Sequence, residues 1–461
     1  MGRDAMESSS HRTNEALNQF PLSFTQEYFC TLDRGESGGA FGHRFILNRP
    51  LRITGELDIS ALQGALDDVV ARHEILRSVV IREADPPAQQ VYPPCSVPLE
   101  IREIPQTANR SRELLAEEFI LGHEKEPIDP RKIPQLNAVL GKFDERDWVL
   151  IVSIHHSVAD GWGILLILHE VAAFYSARVT VRPPELPESK QYREFAAWQR
   201  AGLEEPASES ARAFWRQKLA GAHVFTMPND RPTPEVYTRP YSVYNYYIDA
   251  DIVSTASALA GQTRSSLFMI LLAAFNVLAS QLSDATDPAV LVMTNGRGEA
   301  QFRQTIGVFL NLVPMHTEIG SCTTFSEVVS LTRDTCVDAY ENEIAIHHIE
   351  EELPEFSKPS EDPRRTELVF DMFQPQFNNP DMGIGERSHE ILERELPQLE
   401  CPDIPGGMVW SLINLPSGQV MGTVVYNMDE LDERTVIEWV SAYQRILSGA
   451  IMDPGREWKK L

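Results

Sequence analysis

The sequence predicts a mixed α/β fold divided over two units, and three observations carry that expectation. Residues 149–154 (VLIVSI) form an apolar run rich in β-branched side chains, the pattern of a strand buried on both faces. Strand-like and helix-like segments alternate on either side of it. The chain has 461 residues, too many for one ordinary core and suited to two domains of about 200 residues each. Stretch 179–187, rich in Pro and poor in core residues, is the best internal boundary.

Taken in order, residues 1–18 are polar and expected to be disordered. Ordered chain begins at 20–32 (FPLSFTQEYFCTL), with Ser23 and Gln26 just ahead of or within a first helix. A strand over 44–51 is followed by an amphipathic helix over 57–73, starting at Asp58 or Ser60, which leads directly into a strand over 74–81. A Pro-rich loop near 85–94, a strand around 99 and a helix over 111–123 precede the apolar run. Helix 164–176, apolar over most of its surface, follows that run. Past the boundary, 192–202 and 211–221 read as helices, 243–248 as a strand, 265–283 as a long buried helix and 289–294 as a strand. Segment 295–318 is a loop followed by an apolar strand, 354–365 a polar loop and 431–451 a closing amphipathic helix.

Composition narrows the function. A formal net charge of −26 disfavours polyanionic partners, so nucleic acid is not expected. No apolar stretch approaches the roughly 20 residues of a membrane helix, and the start lacks the apolar core of a signal peptide. Cys30, Cys95, Cys322, Cys336 and Cys401 are odd in number and scattered, which points to reduced thiols in a cytoplasmic protein rather than a disulfide framework or zinc site.

The chemistry concentrates where the apolar run ends. Successive strand side chains point to opposite faces, so His155 and His156 divide between a cleft and the packed interior. Asp160 and Gly161 then mark a turn into the next helix, where Asp160 is also placed to cap it. A core histidine and a simple cap are the plain alternatives, and a metal site lacks a third ligand nearby. A cleft-facing imidazole with an ordinary pKa of about 6.5 is able to accept a proton near neutral pH. No GxSxG elbow or marked cysteine nucleophile accompanies it, which favours direct attack of an amine or hydroxyl on an activated acyl group.

Residues 155–161 (HHSVADG) match the HHxxxDG motif of nonribosomal peptide synthetase condensation domains, and further blocks stand in that family's order. Residues 22–29 resemble LSxxQ, 72–77 RHExLR, 192–199 (YREFAAWQ) YxDYAxWQ, and 307–314 (GVFLNLVP) GxFVNTLP. The resemblance runs over about residues 20–452 and implies two chloramphenicol acetyltransferase-like subdomains in a V-shaped pseudo-dimer with a tunnel between them. The subdomains are expected at 19–180 and 192–461, joined by a linker at 181–191.

By the same resemblance His156 is the expected catalytic residue and His155, Asp160, Gly161 and Arg297 are supporting. Asp160 would hold the loop through an ion pair with Arg297, and Trp162, Gly163 and Asn311 would line the tunnel or bind substrate. The chain departs from the family at Gly163, where serine is common, at Leu312, where threonine is common, and at 341–346 (ENEIAI), where HQDLPF is usual. Segments 29–45 (FCTLDRGESGGAFGHRF) and 403–418 (DIPGGMVWSLINLPSG) resemble free-standing condensation enzymes of actinobacterial pathways, including those of the enediyne type.

The resemblance implies a donor on the phosphopantetheine arm of an acyl or peptidyl carrier protein, no bound cofactor or metal, and a small-molecule or carrier-bound acceptor. Arg110 to Arg112 and Arg364-Arg365 are noted as carrier-facing candidates without being assigned. A coenzyme A-dependent acyltransferase of the same fold and a non-catalytic recruitment domain are the competing readings.

Overall fold

The computed structural model of the chain describes residues 19–461 apart from 36–37, 108, 204, 284, 374–380, 392–393, 397 and 399–400; the segment expected to be disordered, 1–18, lies outside the described residues. The elements run β1 (Gln19–Pro21), α1 (Phe24–Thr31), β2 (Ile46–Thr54), α2 (Ile59–Arg72), β3 (Ser78–Ile81), β4 (Ala88–Val91), β5 (Leu99–Glu103), α3 (Arg112–His123), β6 (Leu136–Asp144), β7 (Asp147–His155) and α4 (Gly161–Thr180). They continue with α5 (Tyr192–Gly202), α6 (Pro206–Lys218), β8 (Thr226–Pro228), β9 (Tyr241–Ile248), α7 (Ala250–Thr263), α8 (Leu267–Ser283), β10 (Ala289–Thr294), β11 (Asn311–His316), α9 (Phe325–Glu341) and α10 (Ile346–Glu352). The last are β12 (Arg365–Phe373), β13 (Arg387–Glu390), β14 (Met408–Asn414), β15 (Val420–Asn427) and α11 (Glu433–Met452).

Two sheets organise two lobes. The first has the order β13-β2-β7-β6-β5, the second β11-β10-β12-β14-β15-β9 with β8 paired to β12, and a small sheet β1-β4-β3 flanks the first lobe. Every residue of β7 is buried because both of its faces are covered. Trp148, Leu150, Val152 and Ile154 pack with residues of α2 and α4, while Val149 and Ile151 pack with Leu115, Ala116 and Ile120 of α3. That double cover is why the run reads as continuously apolar instead of alternating. By length and composition α4 is apolar enough to cross a membrane, but Ile164, Leu166, Ile167, Leu168 and Val171 are part of this core. In the second lobe α8 is enclosed from Ile270 to Ser280, against the sheet and α11.

Local signals place several starts. Ser23 and Gln26 form a reciprocal capping box at α1, and Asp58 accepts from Ala61 N–H at the head of α2. The stretch 74–81 is a single strand only from Ser78, since Glu74–Arg77 forms a 3₁₀ turn first.

The lobes exchange chain, and this corrects the expected assignment of everything from 192 onward to the second subdomain. Tyr192 and Phe195 of α5, together with Phe302, Ile306, Val308 and Phe309 from the β10–β11 connection, belong to the core of the first lobe. Strand β13 pairs antiparallel with β2, Ser388 opposite Ile53. Burial of aromatic side chains and an otherwise open sheet edge drive both crossings.

Candidate active site

Strand β7 ends at His155, and the two imidazoles separate there. His155 is fully buried. Its Nδ1 accepts from the Ser157 backbone N–H at 3.2 Å, which leaves Nε2 to donate to the Gly42 carbonyl at 3.0 Å. Burial, with a smaller contribution from His156 and His43, holds its pKa down to about 3, so it is a neutral structural ring.

His156 is partly exposed. Its backbone N–H donates to the Phe45 carbonyl at 2.9 Å, and its ring stacks on Phe45 with centroids 4.5 Å apart and planes 11° from parallel. Nδ1 is buried without a hydrogen-bond partner among the described residues. Burial lowers the pKa, and the Asp160 charge and nearby backbone groups of His156 and Ala159 oppose that without reversing it. The ring is therefore neutral at physiological pH and free to take a proton.

Asp160 has a different task. It caps α4, its Oδ1 accepting from Gly163 N–H at 2.7 Å. Oδ2 accepts from Phe309 N–H at 2.9 Å, and Arg297 Nη2 donates to Oδ1 at 3.1 Å. Arg297 is buried, donates to the Thr305 carbonyl at 2.7 Å, and has its guanidinium 3.8 Å from the centre of the Phe309 ring. The carboxylate thus ties the start of α4 to the β10–β11 connection.

Two glycines make that close approach feasible. Gly296 has φ +57 and a Cβ there would stand 1.9 Å from the Phe309 carbonyl oxygen, while a Cβ on Gly307 would fall 2.0 Å from the Tyr192 ring.

The separate sequence blocks meet around this point. Ser23 Oγ lies 2.6 Å from the Tyr192 hydroxyl, which donates to the Val308 carbonyl at 2.5 Å. Glu74 N–H donates to Gln191 Oε1 at 2.9 Å, and His73 contacts Glu170 of α4 at 2.7 Å. Sequence reading assigned no role to Gly42 and Phe45, although both lie in the 29–45 segment that resembles free-standing members of the family, nor to Phe309, which was visible only as part of the 307–314 block.

A cleft separates the lobes, lined by Asn48, Arg49 and Pro50 of β2, Leu165 of α4 and Phe373, Ile413 and Met421 of the second sheet, with Glu390, Ile391 and Arg394. The turn that follows His156 reaches the cleft wall, since a Cβ on Gly161 would fall 3.5 Å from the Phe373 ring. Trp162, Gly163 and Asn311 are not among the lining residues of this cleft. Trp162 Nε1 donates to the Arg303 carbonyl at 3.1 Å, and Gly163 packs against Gly307, a Cβ on it falling 3.2 Å from the Gly307 oxygen.

Asn311 borders a smaller recess between α1 and α10. Its amide is consumed there, donating to the Ile344 carbonyl at 2.8 Å and Glu343 Oε1 at 3.0 Å and accepting from Ile346 N–H at 3.2 Å. It anchors the divergent 341–346 stretch. The arginines at 112 and 365 are also engaged internally, with Asp147 at 2.6 Å and Thr226 at 2.6 Å.

Comparison with known proteins identifies the fold and the family. The chain is 30% identical over 456 residues to the probable non-canonical nonribosomal peptide synthetase CymA of Salinispora arenicola, covering 94% of this chain and 6% of that one. It is 28% identical over 444 residues to the chondramide synthase cmdD of Chondromyces crocatus, 94% and 11% respectively. It therefore spans only a small part of the length of each of these relatives. SgcC5 of Streptomyces globisporus, crystallised with (R)-(-)-1-(2-naphthyl)-1,2-ethanediol and sucrose, superposes with a TM-score of 0.89 at 31% identity, over 95% of this chain and all of that one. The condensation domain of the Monacolin K polyketide synthase MokA, 20% identical with a TM-score of 0.77, shares the fold. The condensation-domain family model matches residues 18–461, so this chain is a condensation domain, built on the chloramphenicol acetyltransferase-like pseudo-dimer.

Proposed function

We propose that this chain condenses an acyl or aminoacyl thioester, carried on the phosphopantetheine arm of a carrier protein, with an amine or hydroxyl acceptor, and that it acts free-standing in secondary-metabolite biosynthesis. Condensation domains as a family form amide bonds between carrier-bound substrates. The observation that supports the finer reading is a neutral, partly exposed His156, whose following turn meets the wall of the inter-lobe cleft, held apart from a wholly structural His155.

In the proposed step His156 takes the proton from the acceptor N–H or O–H as its nitrogen or oxygen attacks the thioester carbonyl. A C–N or C–O bond forms, the C–S bond breaks, and the proton passes to the departing thiolate of the arm. Asp160 takes no part in proton transfer because its oxygens are committed to Gly163, Phe309 and Arg297. General-base help contributes about 10²–10⁴-fold, and positioning of the two substrates the remainder. Similarity to SgcC5, whose crystals held an aryl ethanediol, supports a hydroxyl acceptor.

His156→Ala is expected to lower turnover from a loaded carrier by about 10²–10⁴-fold with an unchanged melting temperature. Undiminished turnover removes the imidazole from the mechanism. Supplying one acyl group on a carrier protein and on coenzyme A separates this reading from a coenzyme A-dependent acyltransferase, and absence of any product with either points to a recruitment domain.

A further inference from the structure

The second sheet turns one face to its own core, through Leu368 and Phe370 of β12 and Trp410 and Leu412 of β14. Its other face looks toward the first lobe, since Phe373, Ile413 and Met421 line the inter-lobe cleft together with Leu165 of α4. The strand registers sort that second face into rows. Phe373, Ile413 and Met421 form one apolar row. Val369, Val409, Val425 and Val243 form another.

Between them runs a single polar row, Asp371, Ser411, Thr423 and Asn245. It begins at solvent, where Asn245 is exposed on the edge strand β9, and ends at a carboxylate three strands in. Thr423 Oγ1 donates to Asn245 Oδ1 at 3.0 Å, and Ser411 Oγ donates to Asp371 Oδ2 at 3.2 Å.

Asp371 stands out in two ways. It is two residues from Phe373, a span of about 7 Å along the strand, and the Phe373 ring lies against Gly161, a Cβ there being 3.5 Å from it. The carboxylate is therefore one row behind the wall that faces the start of α4, the same turn that follows His156. It also has no cationic partner among the described residues. Burial raises its pKa to about 6, and only the Ser411 hydroxyl and the Met372 backbone N–H oppose this. The side chain stays partly exposed on this face, with two neutral donors and no such cation, so its carboxylate keeps acceptor capacity that a substrate entering along the polar row would use.

We infer that Asp371, with Ser411, is the subsite for the acceptor's polar head, a group carrying two hydrogen-bond donors such as a vicinal diol or an amino alcohol. This rests on the condensation reading above, because it assigns the acceptor's end of the same cleft. The carboxylate binds and orients the head while the body of the acceptor lies over the flanking apolar rows. Asp371 is a specificity residue and moves no proton in the reaction.

Equilibrium binding to the full chain tests this without any donor. The probes are (R)-1-(2-naphthyl)-1,2-ethanediol, the matching 2-amino-1-(2-naphthyl)ethanol and 2-(2-naphthyl)ethanol, which lacks the second donor. Wild-type protein is expected to prefer both two-donor probes over the mono-alcohol by about tenfold or more, since a hydrogen bond to a charged group is at stake. Asp371→Asn should erase most of that preference and leave the mono-alcohol within about twofold; Ser411→Ala gives a smaller loss in the same direction and serves if the first variant folds poorly. A larger loss for the amino alcohol than for the diol identifies an ammonium as the preferred head, the reverse a hydroxyl.

Equal weakening of all three probes, no preference in the wild type, or no binding of any probe at millimolar concentration overturns the assignment. His156→Ala leaves the preference intact, so failure here and failure of the condensation reading are read from different measurements.

Discussion

His155 and His156 are neighbours whose protons behave differently because β7 ends between them. The folded-state pKa of about 3 at His155 lies below the ~6.5 of the unfolded chain. Between those values the unfolded chain binds the extra proton, so this group's contribution is present above pH 6.5 and is lost as pH falls, by about 1.4 kcal/mol per unit. The stability advantage of wild type over His155→Gln should therefore shrink by about that amount per unit between pH 6 and pH 4 in urea unfolding. An advantage that stays level across the range contradicts a buried neutral ring. For His156 the expected readout is kinetic. Burial lowers its pKa, so the acidic limb of turnover should fall below pH 6.5, and a limb above that value would mean the group is ionised in the resting cleft.

Elements are joined by the Asp160–Arg297 pair, which links the start of α4 to the connection between β10 and β11. Both side chains are buried, so removing one leaves the other desolvated and unpaired. Arg297→Ala or Asp160→Ala should each cost about 3–5 kcal/mol in denaturant unfolding, and the double variant less than the sum. Additive losses would place the two in separate interactions. Gly163 belongs to the same junction, with Ala159 Cβ and the Gly307 oxygen at 3.0 and 3.2 Å from a built Cβ. Gly163→Ser is expected to destabilise by about 1–3 kcal/mol, measured by thermal unfolding, because here the 307 backbone occupies the space that a serine side chain needs.

At the scale of the whole molecule the lobes are held in register by exchanged chain. Strand β13 completes the first sheet, and Arg394 follows it to make a paired contact, 2.7 and 3.0 Å, with buried Glu124 at the end of α3. Arg394→Ala should loosen this crossing selectively, raising hydrogen exchange in 387–390 while α8 keeps its protection. Equal acceleration in both places would show one global opening instead.

The sequence by itself determined the buried strand at 149–154, helix starts near Ser23, at Asp58 or Ser60 and at Asp160, and the blocks around the two histidines, because burial pattern and capping chemistry are written in neighbouring residues. It did not reveal β6, α7, α9, β12, β14 or β15, whose residues carry weaker local signals and are held by pairing with strands and cores far along the chain. Only the tertiary structure decided that 302–309 packs in the first lobe, that Asn311 secures 343–346, and that Asp371 ends a polar row. Each depends on which distant segments become neighbours, and periodicity along one segment carries no information about the partner across from it.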